Sequence, residues 1–123
     1  MRIFLFLFLV GLVGTGAAFA KCVKGDCVNG EGTFHYANGK KYIGSYKDGM
    51  HHGQGTYLYP DGSKYVGTFQ YRKFHGKGTY TYADGSVYTG EFKQGLMHGQ
   101  GILTSKNGSV QQGTWENGTF IKK

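Results

Sequence analysis

The stretch YIGSYKDGMHHGQGTYLYP, residues 42–60, decides how this chain is read. Aromatic residues and glycines alternate through it, Asp48-Gly49 stands in the middle, and almost nothing aliphatic is offered for burial. Displaced by 23 residues, the stretch returns. Tyr42-Ile43-Gly44-Ser45-Tyr46 becomes Tyr65-Val66-Gly67-Thr68-Phe69 and then Tyr88-Thr89-Gly90-Glu91-Phe92, with a decayed copy at Gln111-Gln112-Gly113-Thr114-Trp115. The second halves repeat as well: His52-Gly53-Gln54-Gly55, His75-Gly76-Lys77-Gly78 and His98-Gly99-Gln100-Gly101. A flexible linker has no reason to keep register in this way. A fixed period of this length marks a stacked array, in which each unit buries its face against its neighbours.

Each unit reads as two short strands. Tyr42, Gly44 and Tyr46 fall two residues apart and share one face of a strand, and the same count puts Gly53, Gly55, Tyr57 and Tyr59 together on the next. Asn38-Gly39, Asp48-Gly49, Asp61-Gly62 and Asn117-Gly118 supply two-residue turn chemistry between strands. Tyr71-Arg72 stands where the neighbouring units have Asp48-Gly49 and Gln94-Gly95, so that hairpin is expected to carry a different turn. A ring on one strand can lie flat over a glycine on the next, shielding bare backbone. The predicted fold is therefore all-β: an elongated, twisted antiparallel sheet of stacked β-hairpins, growing by roughly 10 Å per unit. Full units cover 42–64, 65–87 and 88–110, between partial units at 21–41 and 111–123.

The recurring pattern, an aromatic residue two before a glycine and two after it, then Gly-x-Gly and a glycine-bearing turn, resembles the MORN repeat (membrane occupation and recognition nexus). The resemblance spans roughly residues 22–120. It implies a non-catalytic binding or scaffolding module, with protein–protein contact, self-association or attachment to phospholipid as the family's activities. The aromatic row Tyr42, Tyr46, Tyr65, Phe69, Tyr88 and Phe92 is the expected partner-binding surface.

The composition fits that reading. Of 123 residues, 23 are Gly, 10 Tyr and 9 Phe, a balance that leaves no room for an ordinary aliphatic core yet is too aromatic for disorder. Residues 1–20 carry Arg2, an apolar run from Ile3 to Val13, and Ala18-Phe19-Ala20, which is the grammar of a secretory signal peptide cleaved after Ala20. The alternative is an uncleaved N-terminal anchor. The mature chain would be exported, periplasmic or secreted. Dropping Arg2 from the 14 basic residues leaves 13 against 7 acidic ones. That excess permits peripheral contact with anionic lipid or an envelope surface. The lysines form no dense run, and an exported protein meets little nucleic acid, so nucleic acid is not an expected partner.

Cys22 and Cys27, an even pair in an exported chain, are expected to form a disulfide. Their spacing is not that of a thiol oxidoreductase, and two cysteines fall short of a zinc site. His52, His75 and His98 recur at the period, two strand spacings or about 10 Å apart, too far to share one metal ion. They could instead titrate near neutrality and modulate an anionic partner. Asp48, Asp61 and Asp84 are turn residues, the other carboxylates are scattered, and no nucleophile–base arrangement is visible. No enzyme activity, cofactor or metal is expected. Asn107-Gly108-Ser109 and Asn117-Gly118-Thr119 are formal glycosylation sequons that coincide with turn pairs.

Overall fold

The computed structural model describes residues 19–123. The expected signal peptide falls, but for Phe19 and Ala20, outside the described residues. Ten strands follow: β1 (Lys21–Gly25), β2 (Gly30–His35), β3 (Lys41–Lys47), β4 (Met50–Leu58), β5 (Lys64–Gln70), β6 (Lys73–Thr81), β7 (Val87–Lys93), β8 (Leu96–Thr104), β9 (Val110–Glu116) and β10 (Thr119–Lys122). They form one antiparallel sheet whose strand order is the chain order. Nine steps of about 4.8 Å make it about 43 Å across. The all-β array of hairpins read from the period is the fold.

Register is set by glycine. Gly32, Gly44, Gly55, Gly67, Gly78, Gly90, Gly101 and Gly113 face one another across β2 to β9 in a single unbroken rank. A slipped strand would put a side chain where only a bare Cα fits, so the rank fixes pairing throughout.

From β2 onward the hairpins alternate between two kinds of connection, where the sequence suggested one. Along one edge of the sheet lie two-residue turns: Asp48-Gly49, Tyr71-Arg72, Gln94-Gly95 and Asn117-Gly118, every residue at positive φ. This matches the primed turn that suits the strands' natural twist. Along the other edge lie three-residue loops such as Pro60-Asp61-Gly62, each ending on a left-handed glycine (Gly39, Gly62, Gly85, Gly108). There the side-chain oxygen of Asn38, Asp61, Asp84 or Asn107 accepts the N–H two residues on, at 2.8–3.0 Å. Asp and Asn serve equally because only that oxygen is used.

The expectation of a different turn at Tyr71-Arg72 is corrected. It adopts the same geometry as its neighbours, with φ of 50° and 69°. The stacked frame imposes this: Arg72 N–H donates to His51 O at 3.1 Å, as Gly49 does to Val28 and Gly95 to Phe74. Left-handed conformation costs a residue with a Cβ about 1–2 kcal/mol.

Counting by twos also fails across a bulge. Gly44 faces Gly55 while Tyr46 faces His51, so Ser45 alone opposes His52, Gly53 and Gln54. Gly53 (φ 79°) absorbs the distortion, and a Cβ on it would point at Ser45, on the side away from Gly55 and Tyr57. The same bulge recurs in β6 and β8.

Candidate binding face

The aromatic side of the sheet is built in layers. On the glycine rank lie Tyr42 over Gly55, Tyr65 over Gly78 and Tyr88 over Gly101. Each phenol donates to a carbonyl three residues on, Ser45, Thr68 or Glu91, at 2.8–2.9 Å. Between these flat rings stand Tyr46, Phe69, Phe92 and Trp115, edge-on. Phe69 meets Tyr42 at 5.0 Å and 88°, Phe92 meets Tyr65 at 5.1 Å and 89°, and Trp115 meets Tyr88 at 5.3 Å and 82°. Edge-to-face contact suits the charge distribution of the rings, and Trp115 also donates its indole N–H to Gly101 O at 3.1 Å. Each unit's flat ring thus leans on the next unit's upright one.

The row Tyr42, Tyr46, Tyr65, Phe69, Tyr88 and Phe92, expected as a partner-binding surface, is the protein's core. None of the six is more than 7% exposed. A chain so poor in aliphatics has nothing else to bury, so its most regular rings went inside. A partner on this face meets other residues.

One such layer escaped the sequence reading. His51 stacks on Tyr42 at 3.8 Å and 8°, and Phe74 on Tyr65 at 3.9 Å and 8°. Met97 takes the same place opposite Phe92 and packs against the core. The signal was there, since each stands just before a periodic histidine. His51 is buried, shares a 2.7 Å hydrogen bond with the Tyr36 hydroxyl, and leaves Nδ1 without a partner. Burial, with a smaller contribution from the nearby Arg72 charge, pulls its pKa down to about 4.

Farther out runs a ladder of half-buried rings: Phe34, Tyr36, Tyr57, Tyr59, Tyr80 and Tyr82. Successive centroids are 4.7, 6.0, 5.0, 6.1 and 4.8 Å apart. Lys40 lies 5.4 Å over Tyr59. Burial raises the pKa of Tyr36, Tyr57 and Tyr82 and pushes Tyr59 up to about 12, so these phenols stay neutral donors near neutrality. The ladder offers apolar faces with polar tips, suited to holding a partner rather than transforming one.

The turn aspartates have structural duties. Asp26, Asp61 and Asp84 hold their own turns, and those hydrogen bonds lower their pKa values. His52, His75 and His98 are half-buried beside the bulge glycines, and His52 lies edge-on to Tyr71 at 6.3 Å. Among the described residues no group of three or more His, Cys, Asp or Glu is placed to hold a metal ion.

Cys22 and Cys27 are bonded, with Cα atoms 6.0 Å apart. The Cys27 sulfur lies against Gly32, where a Cβ would meet it at 2.8 Å. Gly32 is the first-unit counterpart of Gly55, and the residue in register with Tyr42 is Phe19, whose ring is 73% exposed. A sulfur therefore covers the glycine that a flat ring covers in later units. The opposite sheet face carries an open furrow of about 660 Å³ between side-chain rows that include Val66, Thr79, Ile102, Thr68 and Glu91.

A search of curated proteins finds no match to the chain. The profile of the MORN repeat matches residues 29–41, 42–64, 65–87 and 88–110, in the same frame as the hairpins. Repeats of this kind are commonly binding or scaffolding modules and are generally non-catalytic, and this chain, matched over most of its length, belongs to the MORN-repeat family.

Proposed function

We propose that the protein is an exported, non-catalytic scaffold that holds a protein partner or a second copy of itself along its aromatic face. The observation that carries this reading is the continuous ladder from Phe34 to Tyr82, half-buried on a ring-and-glycine core. Aromatic residues, tyrosine above all, are enriched at interface centres. Their burial below keeps the exposed rings ordered, so little entropy is lost on docking.

Export is supported by the signal-like residues 1–20 and by the bonded cysteines, which belong to an oxidising compartment. The sulfur over Gly32 is compatible with it: the first unit is covered without the ring of Phe19. Anionic lipid is the weaker partner. Lys41 and Lys64 stand at strand ends on one long edge of the sheet and Lys47, Lys73 and Lys93 on the other, with Lys77 mid-strand between them. They alternate with the core rings and so stand on the opposite face, spread along its two edges rather than gathered in one patch.

Crosslinking in the native envelope, with light scattering at several concentrations, tests the proposal. A captured partner or a concentration-dependent dimer, lost when Tyr59 and Tyr82 are changed to Ser, is the expected result. A strictly monomeric protein that captures nothing would overturn it, and sedimentation with anionic liposomes at low salt in the same preparation would favour lipid instead.

A further inference from the structure

The β5–β6 tip departs from its neighbours. Three of the four two-residue turns place glycine second, and this one places Arg72 there, after Tyr71, both left-handed. Asn-Gly or Asp-Gly would make the same turn without strain. Inside the fold the pair gains only the edge contact of Tyr71 with His52. Tyr71 is 64% exposed, Arg72 is exposed, and among the described residues neither side chain makes a hydrogen bond or an ion pair. Strain of this kind, held in place by its surroundings, points to use.

Beside the tip lies a small pocket of about 150 Å³ lined by Gln70, Tyr71, Lys73, His75 and Gln94. Every one of these side chains can donate a hydrogen bond and none is a carboxylate. Arg72, the second residue of the turn, is exposed, and its backbone N–H is held by His51 O of the preceding unit. An exposed ring therefore stands beside two cationic residues, Lys73 at the pocket and Arg72 in the turn.

We propose that the Tyr71–Arg72 tip and the pocket beside it dock an acidic protein segment, one carboxylate entering between Lys73 and His75 and a second pairing with Arg72. The assignment rests on the protein-binding reading above and names where, and by what chemistry, the partner is recognised. A protein is favoured over a membrane surface because the feature is confined to one tip: Asp48-Gly49, Gln94-Gly95 and Asn117-Gly118 bring no cation in the turn itself. Tyrosine and arginine are also the residue types that dominate interface hot spots, and a pocket this small suits one side chain.

The test uses the oxidised protein and its Tyr71→Asn/Arg72→Gly variant, which installs the favoured turn pair. Its thermal midpoint is expected to rise by several degrees, so weakened binding cannot be blamed on unfolding. Calorimetric titration with a short glutamate-rich peptide should show binding by the wild type, a loss of about 30-fold in the variant, and none with the glutamine twin of the peptide. Lys73→Gln should weaken the same titration. Equal binding by the variant, no binding by the wild type, or stronger response to inorganic phosphate or anionic vesicles than to the peptide would overturn the assignment. An unchanged midpoint would overturn its argument from strain. If a partner crosslinks equally to wild type and variant, the tip falls and the broader reading stands. If neither captures one, both fall.

Discussion

Tyr42 lies so close upon Gly55 that a Cβ on the glycine would sit 2.6 Å from the ring's Cζ. The pair belongs to different strands and contacts diagonally, because Gly55 itself faces Gly44. This one relationship, repeated at Tyr65 and Gly78 and at Tyr88 and Gly101, replaces the aliphatic core the chain lacks.

Gly78→Ala should therefore destabilise the fold by about 2 kcal/mol, the usual cost of overpacking, since neither Tyr65 nor the Gly67 backbone opposite can retreat. Tyr65→Phe keeps the ring and loses only the hydrogen bond to Thr68, for about 1 kcal/mol. Tyr65→Ala should cost at least about 3 kcal/mol. Urea unfolding followed by tyrosine fluorescence would rank the three. Equal losses in all of them would remove the ring-on-glycine account.

His51 gives the fold a dependence on pH. Its folded pKa, about 4, lies below the ordinary value of 6.5. Above pH 6.5 the imidazole is neutral folded or unfolded, and its burial carries no proton cost. Between 6.5 and 4 the unfolded chain takes up the proton and the folded one does not, so stability falls as pH falls, levelling off below about 4. The loss should be about 2 kcal/mol after allowance for solvent screening. His51→Phe, which copies Phe74 in the next unit, should flatten this slope in unfolding curves measured from pH 7 to pH 4.

Replacing both Cys22 and Cys27 with serine removes the cover over Gly32. The loss should be about 2 kcal/mol on the loop-entropy estimate, and it should be local. Amide exchange in β1 is expected to speed up while the amides of β5 to β7 keep their protection. Uniform acceleration along the chain would mean that the bridge supports more than its own end.

Much of this architecture was legible in the sequence, because the 23-residue period acts at the level where the sheet is assembled. The rank of glycines, the flat tyrosines and the Asp-Gly and Asn-Gly turns could all be aligned by eye. The misreadings share one cause: a local rule was carried past a point where neighbours overrule it. Alternation by twos placed Gly53 with Gly55, but the bulge turns it over toward Ser45. Turn chemistry set Tyr71-Arg72 apart, but hydrogen bonding to His51 in the adjoining unit holds it in the common shape. Regular spacing marked Tyr42, Tyr65 and Tyr88 as a surface, yet regularity is equally the mark of a core shared between units. His51, Phe74 and Met97 escaped because an imidazole, a phenyl ring and a thioether look unrelated until their common position is seen.

Strand order follows chain order from β1 to β10, so each strand is hydrogen-bonded only to the one before it and the one after. A pull on the two ends would find no clamp of distant segments to shear. It should peel hairpins away in turn, each 23-residue unit paying out about 80 Å of thread, and optical tweezers should record a low, even sawtooth rather than one abrupt rupture. Such a molecule lengthens under load before it lets go, a useful trait in a tether.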